Sequence, residues 1–174
     1  VIGMIEVGAA SRLGDWARLR SLLWPELSEA AHRAELAQVL SSGDAGAVAF
    51  IASTGVGEIV GFAEASLRRG YVNGCETSPV TFLEGIYVEP EHRKTGIAKA
   101  LCEAVEAWGR AAGSLEMASD ADLKNTASHA FHAAVGFEET ERVIFFRKPL
   151  SASMSREVSA APDFSSSLAK SGQG

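Results

Sequence analysis

The sequence predicts an α/β domain, a mixed sheet with helices on its faces, in the order β-α-α-β-β-β-α-β-α-β. Three observations predict it. Compact apolar runs of strand length are separated by Gly, Pro and polar clusters. Residues 96–111 repeat Ile97, Leu101, Ala104, Val105 and Trp108 at helical spacing. A strand-turn-helix unit, residues 80–111, sits at the centre of the chain.

Residues 5–9 read as a short strand. Ser11 is placed to cap a helix carrying Trp16, Leu19, Leu23 and Trp24 on one side, which Pro25 breaks or restarts. A second helix, residues 28–40, sets Leu36, Val39 and Leu40 on one face and ends at Ser41-Ser42-Gly43-Asp44. The run 47–52 and the segment 58–67 form strands joined by the turn Thr54-Gly55-Val56-Gly57. A polar loop, 68–79, leads to the strand 80–88, which Pro90 terminates. After the helix 96–111, Gly113 is the stop. A strand at 115–119, a helix at 125–135 closed by Gly136, and a strand at 141–148 containing Val143-Ile144-Phe145-Phe146 complete the order. This gives one domain over residues 4–150. The Ser- and Ala-rich tail, 151–174, has too few large apolar groups to offset its ordering entropy and reads as disordered or non-native.

Composition excludes several classes of function. With 16 basic and 22 acidic residues the net charge is -6, the wrong sign for binding nucleic acid, which rests on phosphate neutralisation. A cationic ligand is compatible with it. Cys75 and Cys102 are too few for a disulfide framework, and neither belongs to a Cys/His cluster, so no metal site is expected. No apolar run reaches membrane-spanning length and no signal peptide is visible, which makes the cytoplasm the expected location.

The most informative segment is Val88-Glu89-Pro90-Glu91-His92-Arg93-Lys94-Thr95-Gly96-Ile97-Ala98, where a strand ends, a basic loop follows and a helix begins. A pyrophosphate needs inward-facing backbone N–H groups and the positive end of a helix dipole. Gly96 allows close backbone approach, Arg93 and Lys94 add positive charge, and Ala98 leaves the helix start uncluttered. Neither G-x-x-x-x-G-K-[ST] nor G-x-G-x-x-G after a strand is present.

What fits is R-x-x-G-x-A, and with Ile86-Tyr87-Val88-Glu89-Pro90 before it the stretch resembles the coenzyme A pyrophosphate signature of the GNAT superfamily of N-acetyltransferases. Asn125 at the start of the next helix and Phe131-His132-Ala133-Ala134-Val135-Gly136-Phe137 extend the resemblance. Within that superfamily, Gly61 to Ser66, Tyr71 to Cys75, Phe82 to Ile86, Met117 to Asp120 and Gly136 to Phe145 resemble the aminoglycoside 6′-N-acetyltransferases, with coverage from about Met4 to Lys148.

The resemblance implies the GNAT fold, with a mostly antiparallel sheet, and acetyl-CoA as co-substrate. Ile86, Tyr87, Val88, Arg93, Lys94, Thr95, Gly96, Ile97, Ala98 and Asn125 would bind the coenzyme. It implies an antibiotic site at Trp24, Tyr71, Glu84, Asp120 and Glu141, and a homodimer, one form of which exchanges C-terminal strands. Each site residue also has an ordinary alternative: Trp24 as core, Tyr71 beside Asn73-Gly74 as a turn residue, Glu141 as part of a solvated acidic run. Glu84 is the sharper case, because it interrupts the apolar strand 82–86, where an unpaired carboxylate is costly.

Direct acetyl transfer to an amine needs a proton acceptor, a donor to the developing oxyanion and a proton for the departing thiolate. Asp120 or Glu84 is placed for the first task, acting directly, through water or by positioning the ammonium. The resemblance implies that a main-chain N–H among residues 86–88 performs the second. His132 stands where many superfamily members have tyrosine, and either donates the thiolate proton or simply packs in its helix. Gly85 inside a strand predicts a bulge or a close backbone approach. A covalent acetyl-cysteine is disfavoured, since no activating base accompanies Cys75 or Cys102. Other acceptors, a polyamine or a protein amine, and a non-catalytic binding module are the competing readings.

Overall fold

The computed structural model describes residues 2–149. Five strands form one sheet in sequence order: β1 (Ile2–Val7), β2 (Ala47–Thr54), β3 (Ile59–Arg68), β4 (Val80–Val88) and β5 (Glu116–Ser119). The first four are antiparallel and β5 runs parallel to β4. Helices α1 (Leu13–Leu23), α2 (Glu29–Ser42), α3 (Ile97–Ala111) and α4 (Thr126–Ala134) complete the fold. The predicted mixed sheet and its order are therefore found as far as α4.

Period-two alternation in the strands builds two cores, one on each sheet face. Ala49, Ile51 and Phe62 pack with Trp16, Ala17 and Leu19 of α1 and Leu36 of α2. Ala52, Ala63, Ala65 and Leu83 pack with Ile97, Leu101 and Val105 of α3. Leu101 and Val105 are both 0% exposed, and such burial contributes roughly 1.5–3 kcal/mol per side chain. Gly109 lets α3 approach β4, because a Cβ there would run into the Thr81 side chain.

Four local expectations are corrected. Ser11 does not cap α1; it lies in a short 3-10 turn, Ala10–Arg12, and Arg12 is the N-cap without a side-chain bond. The first strand lies earlier than residues 5–9, at Ile2–Val7, with Gly8 N still donating to Ala49 O at 2.8 Å just past its end. Val39 is 48% exposed, the buried face of α2 being His32 and Leu36 at i, i+4 spacing. Residues 141–148 do not form a strand: Phe137 to Pro149 carry neither helix nor strand. Ile144, Phe145 and Phe146 are 75%, 86% and 92% exposed. Apolar and β-branched composition favours a strand only where a neighbour supplies the ladder.

A first compact unit ends at Arg142, and residues 143–149 belong to a second. The tail read at 151–174, and the domain's last expected residue, Leu150, lie outside the described residues.

Candidate active site

The site begins where two strands part. β4 pairs with β5 from Val80↔Glu116 to Leu83↔Ser119, and no further. Ser119 Oγ donates to Leu83 O at 3.1 Å, fastening the last pair. Glu84 and Asp120 are the next residues on either side of that parting. Both are exposed. Beyond it, β4 from Gly85 to Val88 keeps its partner β3 but has none on the β5 side. A strand edge left open in this way offers main-chain donors and acceptors to an extended ligand.

The β3–β4 register shifts at the same point. Ala65 faces Leu83 and Glu64 faces Gly85, so Glu84 is an extra residue on β4. This is the bulge that Gly85 predicts, and it re-aims a side chain at a sheet rim. Glu84 is thereby carried out of the apolar core and meets two partners from β3. Ser66 Oγ donates to its Oε1 at 2.6 Å, and Arg68 Nη2 lies 3.1 and 2.9 Å from its two oxygens. The carboxylate in an apolar strand is therefore paired, and its partners come from an i, i+2 pair on the neighbouring strand.

Trp24 closes the same corner. Its indole lies over Gly85, where a Cβ would also stand 3.0 Å from Leu23 Cδ2. The ring is held from behind by Arg20, whose Cζ is 5.0 Å from the ring centroid. Arg20 Nε is 3.3 Å from Glu64 and its Nη1 is 3.5 Å from Glu35. Trp16 Nε1 donates to Glu64 at 2.8 Å. Burial pushes the Glu64 carboxyl above its ordinary range, against the pull of Arg20 and Trp16. His32, 1% exposed, sits 2.9 Å through Nε2 from Trp24 O. Trp24 is thus neither purely core nor free; it is a braced wall beside Glu84.

The loop expected to hold phosphate joins β4 to α3. A 3-10 turn, Pro90–His92, follows β4, and Gly96 at φ 91° is the N-cap of α3, with no side-chain cap. The first-turn N–H groups of α3 are therefore open to an anion. Lys94, at φ 61°, is also left-handed. Thr95 Oγ1 donates to His92 O at 2.6 Å and shapes the turn. Arg93 Nε donates to Val88 O at 2.9 Å, fastening the loop to the end of β4. Ile97 is 5% exposed and anchors the helix start in the core, while Ala98 is half-buried. Glu89 extends the anchoring through a 2.6 Å pair with Arg18 of α1.

Asn125 is the N-cap of α4, its Oδ1 accepting from Ser128 N at 3.0 Å. His132, half-buried on α4, has Nδ1 2.8 Å from Ser128 O. That bond assigns the neutral ring's proton to Nδ1 and leaves Nε2 as an acceptor. Nε2 is buried without a partner among the described residues. Phe131 and Phe137 meet the ring edge-on at 5.4 and 5.1 Å.

Two expected antibiotic contacts are not drawn in. Tyr71 is 83% exposed in the loop before β4, and Glu141 is exposed after α4. Neither side chain makes a hydrogen bond among those described. The cysteines are poor nucleophiles: burial pushes the Cys102 thiol up to about 11 and also raises that of Cys75. Among the described residues no three His, Cys, Asp or Glu side chains gather as a metal site, and no helix is long and apolar enough to cross a membrane.

Sequence reasoning passed over Ser66, Arg68, Arg20 and Glu64. Glu64 carried a signal, being a lone carboxylate inside the apolar run 61–65, as Glu84 is inside 82–86. The partnership of Arg68 with Glu84 needs the strand register, which no local pattern contains.

Residues 16–137 match the model of the acetyltransferase (GNAT) family. An aminoglycoside N(6')-acetyltransferase type 1 from Stenotrophomonas maltophilia is 51% identical over 135 residues, covering 78% of this chain and 86% of that protein. A protein of the same name from Serratia marcescens is 47% identical, covering 84% of this chain and 99% of its own length. Among solved structures, AAC(6')-Iy in complex with the bisubstrate analog CoA-S-monomethyl-acetylneamine superposes with a TM-score of 0.78 at 47% identity, covering 84% of this chain and 98% of that one. AAC(6')-Ih from Acinetobacter baumannii superposes at 0.79 with 45% identity, covering 84% and 98%.

Proposed function

The chain belongs to the acetyltransferase (GNAT) family, and from that premise we propose that it transfers the acetyl group of acetyl-CoA directly to the 6′-amino group of aminoglycoside antibiotics, conferring resistance to them. The observation that carries this reading is the parting of β4 and β5 at Leu83 and Ser119, with a carboxylate on each lip and an uncapped helix N-terminus at the far end of β4. The similar proteins named for this reaction support the substrate.

The coenzyme supplies an activated thioester. Its pyrophosphate suits the Arg93-to-Ala98 turn, where Lys94, Thr95 and Gly96 present main chain and Lys94 adds charge. The open edge of Ile86, Tyr87 and Val88 suits its extended arm, and one N–H there stabilises the charge developing on the acetyl oxygen. Asn125 spends its side-chain oxygen on capping α4 and keeps its amide N–H groups for the coenzyme.

Glu84 and Asp120 divide the work on the amine. Glu84 already accepts from Ser66 and Arg68, which suits it to holding an ammonium in place. Asp120, whose side chain makes no hydrogen bond among the described residues, takes the amine proton directly or through water. Trp24 supplies a flat wall for a sugar ring. Tyr71 and Glu141, exposed on loops, are assigned to the antibiotic by the family resemblance. His132 returns a proton to the thiolate; because Nδ1–H is committed to Ser128 O, the donor is the imidazolium, which gives up its Nε2 proton and is left as the neutral Nδ1–H ring. We assign these roles to the domain 4–150, place the enzyme in the cytoplasm, and propose a homodimer. The exposed run Val143 to Phe146 supports the last, since exposed apolar patches mark association surfaces.

A substrate panel tests the reading. Thiol release from acetyl-CoA should accompany kanamycin and tobramycin. Release with spermidine or a lysine peptide alone would replace the antibiotic by another amine, and aminoglycoside binding without release would make the chain a binding module.

A further inference from the structure

We infer that Arg68 is an internal cation that occupies the Glu84 carboxylate in the ligand-free protein and competes with the substrate's ammonium for it. The inference rests on the reading of Glu84 as a substrate contact. Arg68 stands at the end of β3, opposite Val80 in the register. Its guanidinium nevertheless reaches back along β4 to Glu84, crossing the Phe82 ring with Cζ 3.2 Å from the centroid. The route is fixed from below, because Phe82 is 6% exposed and packed with Val72 and Val80. The bulge brings Glu84 to the same face.

At the carboxylate the contacts are crowded. Oε1 accepts from both Ser66 Oγ and Arg68 Nη2, and Oε2 accepts from Arg68 Nη2 at 2.9 Å. An incoming ammonium is also a donor-only cation and seeks the same lone pairs. It must displace Arg68 or share a carboxylate with a like charge. The pair is exposed enough to open, with Arg68 42% and Glu84 37% accessible. Exposed pairs of this kind are weak, so the competition raises the substrate's threshold without blocking it. The cost falls on any amine that uses Glu84, and a polycation with several ammonium contacts offsets it more fully than a simple monoamine.

The test compares Arg68→Gln, Glu84→Gln and the double variant in steady-state kinetics with kanamycin, using the acetyl-CoA KM as an internal control. Arg68→Gln should lower the kanamycin KM about two- to fivefold. Glu84→Gln should raise it, and the double variant should match Glu84→Gln alone, because the competitor has lost its target. Arg68→Lys, which keeps the charge and the cover over Phe82, should stay near wild type and controls for any loss of fold in Arg68→Gln. An unchanged or raised kanamycin KM in Arg68→Gln overturns the competition while a raised KM in Glu84→Gln leaves the substrate site standing. A gain from Arg68→Gln that persists in the Glu84→Gln background means general charge repulsion and also overturns it. If Glu84→Gln leaves the KM unmoved, Glu84 is not a substrate contact and the competition fails with it.

Discussion

The indole of Trp24 lies across Gly85 so closely that a Cβ on Gly85 would stand 2.6 Å from Cη2 of the ring. A helix end is thereby seated on the residue beside the β4 bulge. The seat is possible only because position 85 lacks a side chain, and it fixes an aromatic wall next to Glu84.

Gly85→Ala should therefore destabilise the protein by about 1–3 kcal/mol, the usual cost of overpacking, and raise the aminoglycoside KM. Trp24→Leu in the same background should recover part of the melting temperature, so that the two substitutions are non-additive. Additive losses in thermal melts would mean that the ring does not meet position 85.

Gly96→Val addresses the coenzyme end. With φ at 91°, position 96 strains any β-branched residue, by about 1–3 kcal/mol. The valine also places carbon where main chain would approach a pyrophosphate. Acetyl-CoA affinity in calorimetry should collapse while the circular dichroism spectrum persists. Unchanged affinity would move the pyrophosphate elsewhere.

Glu64 makes a signed prediction about pH. Its folded-state pKa is raised, chiefly by burial, so the native protein holds the proton more tightly than the unfolded chain. Its contribution is favourable below the ordinary carboxylate range and is lost as pH rises through the raised value. Glu64→Gln removes that dependence. The wild-type minus Glu64→Gln difference in stability, from urea titrations at several pH values, should become less favourable to the wild type on going from mildly acidic toward neutral pH. A difference that grows with pH would reverse the sign.

Much of the fold was legible because its signals are local. The strand 80–88, the helix at 97–111 and Asn125 at the head of α4 follow from periodicity, Pro90, Gly113 and a capping side chain. The turn at 90–96 and the start of α3 were legible for the same reason. The run 143–146 misled because β-forming composition does not itself supply a ladder partner. Ser11 misled because a 3-10 turn displaced the helix start. The Arg68–Glu84 pair and the brace of Arg20 on Trp24 were invisible, since each depends on register or on a helix seated against a sheet. Tyr71 and Glu141 entered by resemblance alone, and the folded chain leaves them exposed.

His132→Phe keeps an aromatic ring between Phe131 and Phe137 but removes the imidazole proposed to carry the proton. General acids contribute ~10²–10⁴-fold, and a thiolate is a good leaving group, so kcat should fall toward or below the low end of that range. His132→Tyr should recover much of it. Loss of melting temperature in step with activity, in both variants, would instead make the residue a packing element held by Ser128.

The position of the acetyl group on the product is the most direct test of the central claim. Kanamycin turned over with acetyl-CoA should gain one acetyl group, detected by mass spectrometry and placed on the 6′-nitrogen by NMR. An analogue with a 6′-hydroxyl should release no thiol. Acetylation at a 3- or 2′-amine, with the 6′-amine untouched, would contradict the assigned substrate site while leaving the acetyltransferase fold in place.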